Sequence, residues 1–177
     1  MEAREELLRG YAELVRRWAP RINLIAPGDL ERFSERHIED SLKALPVVRE
    51  APEGPAIDVG SGAGLPGVPL AIADPTRSWR LLEPRAKRAA FLEEVARELG
   101  LDVEVVRLTA EQAANDRTFA AAHAVATARA LAPPEEAAAL LRPLLAPGGI
   151  GIVFVGAGAE LPEGAGAAVP GLAIIGP

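Results

Sequence analysis

Three glycines at alternate positions, Gly60, Gly62 and Gly64, stand between the run Ala56-Ile57-Asp58-Val59 and the apolar stretch from Leu65 to Ala73. A short apolar run, a glycine turn and an apolar helix in that order make a strand–turn–helix unit whose backbone can grip a ligand. Glycine is needed there because a side chain would hold a ligand away from the backbone, and because such turns use positive φ. The pattern alone does not decide the matter, since a plain strand-to-helix turn fits it too.

The surrounding chain repeats the alternation. Strands are expected at about 56–59, 78–83, 102–107, 123–127 and 150–155, with helices at about 65–73, 85–99, 109–114 and 134–145. Such a βαβα order implies an α/β fold with a doubly wound, mainly parallel sheet. Ahead of it, Leu7, Leu8, Tyr11, Leu14, Val15 and Trp18 share one face of a helix over 2–18, which Pro20 ends. A second helix is expected to start with Asp29 as its cap and to turn Leu30, Phe33, Ile38 and Leu42 inward. Pro46 and the Ala51-Pro52-Glu53-Gly54-Pro55 linker separate this piece from the first strand. Residues 1–50 thus read as an N-terminal helical extension and 51–177 as the main domain.

Composition removes several chemistries. The chain has no cysteine, which excludes disulfides, thiolate metal sites and a cysteine nucleophile. Only His37 and His123 are available as histidine ligands, so no metal is expected. No apolar run is long enough to cross a membrane, and the charged N-terminus lacks a signal peptide's apolar segment. A cytoplasmic monomer is the expectation. A net charge of −6 argues against indiscriminate binding to phosphate backbones, although it leaves room for a local basic patch such as Arg85, Lys87 and Arg88.

Ligands of open α/β sheets sit at the carboxyl ends of the strands. Glu83, ending the second strand, is placed to accept both hydroxyls of a ribose, and Glu111 follows the third strand, where an adenine would lie. Both nicotinamide and S-adenosylmethionine cofactors suit that acid. The glycine spacing separates them, because the dinucleotide fingerprint G-x-G-x-x-G requires a glycine where Leu65 stands. Asp58, just before the turn, also suits a cationic ligand with an amino group and a sulfonium. Spacing and charge favour S-adenosyl-L-methionine.

Several stretches resemble one family, the bacterial 16S ribosomal RNA guanine-N7 methyltransferases (RsmG or GidB). They are Trp18 through Asn23-Leu24, Arg36-His37-Ile38-Glu39-Asp40-Ser41-Leu42, Ile57 through Pro69, Leu81-Leu82-Glu83 with Lys87-Arg88, and Thr127-Ala128-Arg129-Ala130. The resemblance implies a Rossmann-like methyltransferase fold and methyl transfer from S-adenosylmethionine to a guanine N7 of 16S ribosomal RNA in the small ribosomal subunit. It implies a cofactor site of Asp58, Gly60, Ser61, Gly62, Gly64, Leu65, Glu83, Ala110, Glu111 and Arg129. Asn23, His37 and Arg129 match residues around the cofactor and RNA pocket, with the Arg129 guanidinium offered to a phosphate or to guanine O6. Asp40 and Ser41 are expected to fix the N-terminal piece to the domain, and His123 to be a strand residue without a role.

The chain departs from the family pattern at Thr109, where an arginine is usual, and at Val155, where a lysine is usual. It also ends, on this reading, before the last antiparallel strand, an expectation under which a sheet edge is either open or covered by a partner. These departures keep two alternatives in play: a non-catalytic S-adenosylmethionine-binding relative, and a methyltransferase acting on another substrate.

Overall fold

The computed structural model describes residues 2–156 and 158–177. Five parallel strands, β1 (Ala56–Val59), β2 (Trp79–Leu82), β3 (Val103–Val106), β4 (His123–Arg129) and β5 (Leu145–Phe154), share a sheet with two antiparallel ones, β6 (Gly166–Val169) and β7 (Leu172–Ile175). The order is β3-β2-β1-β4-β5-β7-β6. Chain progression reverses between β1 and β4, which opens a crevice at their carboxyl ends, the usual ligand position in such sheets.

Alternation along the strands splits the core into two layers. Ile57, Val59, Leu82, Ala126 and Val153 pack under α6 (Ala110–Ala114) and α7 (Pro134–Leu141). On the other face, Leu81 packs with Phe91, Leu92 and Val95 of α5 (Ala86–Leu99) and with Val68 and Ile72 of α4 (Gly67–Ala73). The long helix α1 (Glu2–Trp18) adds Tyr11, Leu14 and Val15 to that layer. Its Trp18 meets Phe91 edge-on at 5.9 Å. Full burial of side chains of this size contributes about 1.5–3 kcal/mol each. One polar bond fixes the helix over the glycine turn: the Tyr11 hydroxyl donates to Ala63 O at 2.7 Å.

Three expectations are corrected. The stretch from Asp29 through Leu42 does not form one helix capped by Asp29. A 3₁₀ turn spans Pro27–Asp29, a π turn Ser34–Ile38, and two short helices follow, α2 (Glu39–Leu42) and α3 (Leu45–Glu50). The Asp29 carboxylate is held by Arg36 and faces His37, so it does not cap. Pro46 lies in the first turn of α3, where the missing N–H is tolerated, rather than in a linker.

The second correction concerns Pro147-Gly148-Gly149, which lies inside β5 and not ahead of it. A Cβ at Gly149 would stand 2.7 Å from His123 O, so glycine alone lets the two strands close. The third concerns the sheet edge. The tail does contain antiparallel strands, with β7 pairing along β5 from Gly151↔Ile175 to Phe154↔Leu172. Leu172, Ala173 and Ile175 are buried there, which explains why so short a segment joins the sheet.

Candidate active site

A cavity of about 270 Å³ opens at the carboxyl ends of β1 and β4. Its floor is Gly60, Ser61, Gly62 and Ala63, and its walls include Leu24, Ile25, Asp29, His37, Leu65, Arg88 and Arg129. Two glycines are needed for distinct reasons. At Gly60, φ is +71° and a Cβ would meet Leu131 Cδ1 at 2.6 Å. At Gly62, φ is +56° and a Cβ would meet Gly60 O at 3.7 Å and Arg88 Nη1 at 3.8 Å, ordinary contact distances. The positive φ rather than crowding calls for glycine here, and the residue lines the cavity as a backbone cradle for a ligand.

The turn is fastened from below. Leu82 O accepts from Gly60 N at 2.8 Å and from Ser61 N at 3.0 Å. Glu83 is buried, and its two carboxylate oxygens accept from Gly62 N and Arg85 N, each at 2.9 Å. The acid read as a ribose acceptor therefore also sets the height of the turn. Gly64, with φ +95°, closes the loop under Tyr11.

Asp58 lies under the floor and not on the cavity wall. It is fully buried; its Oδ1 accepts from the Thr127 hydroxyl at 2.7 Å and its Oδ2 from Gly67 N at 3.2 Å. Burial pushes its carboxyl up to about 6, against the lowering effect of these hydrogen bonds. An acid so enclosed does not meet a ligand's amino group directly, which corrects the role drawn from its place in the sequence.

Arg129 ends β4 and reaches back to the N-terminal segment. Its Nη1 donates to His37 O at 3.1 Å and to Ser41 Oγ at 3.3 Å. Its Nη2 lies 2.9 Å from His37 Nδ1 and 3.3 Å from Asp40 Oδ2. Arginine only donates, so His37 Nδ1 accepts and the ring hydrogen sits on Nε2. That atom is 3.4 Å from Asp29 Oδ2. Burial first, and the Arg129 charge second, hold the His37 pKa below its ordinary value, keeping the ring neutral near pH 7. The guanidinium expected to greet substrate is thus engaged by four acceptors of its own chain, and Asp40 and Ser41 are two of them.

Asn23, Ala110 and Glu111 do not line this cavity. Asn23 O accepts from Arg88 Nη2 at 2.7 Å, and the residue faces a neighbouring groove with Arg21, Arg85 and Lys87. Ala110 and Glu111 open α6, whose capping box is built by Thr109 and Gln112. The residue replacing the usual arginine therefore starts a helix. His123 lies at the opposite end of β4, buried between Leu144 O at 3.0 Å and Arg80 Nη1 at 3.1 Å. Two wall residues were not expected at this cavity: Asp29, expected to cap a helix, and Arg88, expected in a basic patch with Arg85 and Lys87. Among the described residues no group of three or more acids and histidines is arranged to hold a metal ion, and no helix is long and apolar enough to cross a membrane.

The family model for rRNA small subunit methyltransferase G matches residues 4–162. The ribosomal RNA small subunit methyltransferase G of Halorhodospira halophila is 42% identical over 163 residues, covering 89% of this chain and 75% of that protein. The protein of the same name from Acidiphilium cryptum is 41% identical over 157 residues, 86% of this chain and 69% of that one. Among solved structures, the CcbJ methyltransferase from Streptomyces caelestis superposes with a TM-score of 0.53 at 26% identity, over 73% of this chain and 58% of that one. A Corynebacterium glutamicum protein superposes with a TM-score of 0.59 at 18% identity, over 81% of this chain and 66% of that one, a likeness of fold. An N-terminal segment latched by a β4 arginine over a glycine turn is therefore seen here in a chain that belongs to the ribosomal RNA small subunit methyltransferase G family.

Proposed function

We propose that this chain transfers the methyl group of S-adenosyl-L-methionine to N7 of a guanine in 16S ribosomal RNA, as a cytoplasmic monomer. The observation that carries the reading is the Gly62 cradle in the β1–β4 crevice of a chain of this family. One solved relative in fold, a geranyl diphosphate methyltransferase at 19% identity with a TM-score of 0.52, is described in complex with the same cofactor. Residues 51–177 form the methyltransferase domain, and 1–50 an extension that closes the cavity through Asp29 and His37.

The residues present fit that cofactor. Gly60, Ser61 and Gly62 offer backbone to the cavity, and Glu83, which ends β2 behind them and accepts from Gly62 N, is the acid assigned to the ribose hydroxyls. The cofactor supplies an electrophilic methyl on a sulfonium. Guanine N7 has an in-plane lone pair and no proton. With the cofactor bound, its methyl would be taken by that lone pair, the C–S electron pair remaining on sulfur as a neutral thioether and the positive charge passing to the purine. No base is required of the chain, and Asp58, enclosed by Thr127 and Gly67, is not called on as one. The chain's task is to hold two partners in line and keep water out, a proximity effect. Arg129 serves it by fixing the wall residue His37, with Asp40 holding the guanidinium from behind.

Calorimetric titration with S-adenosylmethionine, followed by transfer of a labelled methyl group to small-subunit particles lacking the modification, tests this reading. Binding with transfer to a guanine N7 is expected. Binding without transfer would point to a non-catalytic relative or another substrate.

A further inference from the structure

The acid expected to meet the cofactor's amino group, Asp58, is sealed beneath the turn by Thr127 and Gly67. The cavity wall contains one carboxylate, and it comes from elsewhere: Asp29, at the end of the 3₁₀ turn of the N-terminal segment. The wall's cations are Arg88 and Arg129, of which Arg129 is tied by four contacts to His37, Asp40 and Ser41. Arg88 is freer. Its Nη2 donates to Asn23 O at 2.7 Å, and its Nη1 lies 3.8 Å from the point where a Gly62 Cβ would be, on the open side of the turn.

We propose that Asp29 and Arg88 together bind the zwitterionic amino-acid end of the cofactor, Asp29 receiving the α-ammonium and Arg88 the α-carboxylate. This rests on the cofactor reading above and assigns that end to the N-terminal segment rather than to the β1 acid. The anion of the wall and the freer of its two cations, Asp29 and Arg88, are opposite in sign to the two charges of that end and share a single cavity. The cavity, at about 270 Å³, is small for a whole nucleoside cofactor and suits one end of it. Asp29 is also held in place. Arg36 pairs with one carboxylate oxygen, and His37 Nε2 stands 3.4 Å from the other. A carboxylate has about four lone-pair sites, so these contacts orient Asp29 and leave it able to accept an ammonium.

The probes are S-adenosylhomocysteine, which has the amino-acid end, and 5′-methylthioadenosine, which lacks it. Calorimetry of the full chain should show the first binding more tightly. In Asp29→Asn and in Arg88→Gln that preference should shrink by about tenfold or more, the usual weight of a hydrogen bond between charged groups. Affinity for 5′-methylthioadenosine should stay at its original value, which also shows that each variant is folded. Variants that keep the full preference would overturn the assignment while leaving the cofactor reading intact. A native protein that binds both probes equally would do the same, and one that binds neither would overturn both.

Discussion

Arg129 Nη2 donates to His37 Nδ1 at 2.9 Å across 92 residues of sequence. This bond joins the carboxyl end of β4 to the segment that walls the cavity. Arg129→Ala should remove its four contacts, free the 27–42 segment, and destabilise the protein by about 2 kcal/mol, as expected for a partly buried charged network. Methyl transfer and cofactor affinity should fall together. A variant that loses transfer at unchanged cofactor affinity would show instead that Arg129 acts on the RNA.

The same bond makes the latch sensitive to acid. A protonated His37 turns an N–H toward the guanidinium and loses its acceptor. Its folded pKa lies below the ordinary value, so the neutral ring's contribution is present above about pH 6.5 and is lost as pH falls through the lowered pKa. Hydrogen exchange of residues 27–42, corrected for intrinsic rates, should therefore speed up on going from pH 7 to pH 5. Equal protection at both values would remove His37 from the latch.

Asp58 gives the opposite dependence. Its folded pKa of about 6 exceeds the unfolded value of 3.8, so between those values the native state binds the extra proton. Stability from this group is highest below about pH 4 and declines as pH rises to about 6, by roughly 3 kcal/mol at most for a shift of this size. The difference in unfolding free energy between the native protein and Asp58→Asn should narrow or reverse over that window. A difference constant from pH 4 to pH 7 would contradict the enclosed, proton-holding carboxyl.

Glu83→Gln tests the link between cradle and turn. Glutamine presents one acceptor where Gly62 N and Arg85 N require two, and its amide hydrogens oppose one of them. Thermal stability should drop by about 1–3 kcal/mol, the weight of one unsatisfied buried group, and cofactor affinity should fall with it. Reduced affinity at unchanged stability would confine Glu83 to ribose contact.

What the sequence revealed and what it hid differ in range. β1, the glycine turn and α5 are legible because apolar spacing and glycine positions are local, and each element lies within a residue or two of where the pattern puts it. The enclosure of Asp58 is not legible, since it depends on the β1–β4 register that sets Asp58 beside Thr127. The 27–50 segment misled for the same reason. Ser41 Oγ donates to His37 O at 2.6 Å, and Arg129 holds that carbonyl from outside, so a distant guanidinium decides a local backbone path. Gly149 belongs with these. A proline–glycine pair reads as a break until the close approach of His123 O is known.

The cavity draws its walls from four separated parts of the chain, Leu24–His37, Gly60–Leu65, Arg88 and Arg129–Ala130. During synthesis the glycine turn emerges long before the arginine that closes it. A nascent chain that has made β1 to β3 thus has the floor of a binding site and no lid fastening. The latch of Arg129 on His37 can form only once β4 has taken its place between β1 and β5, so the wall of the site is fastened by one of the later strands of the chain.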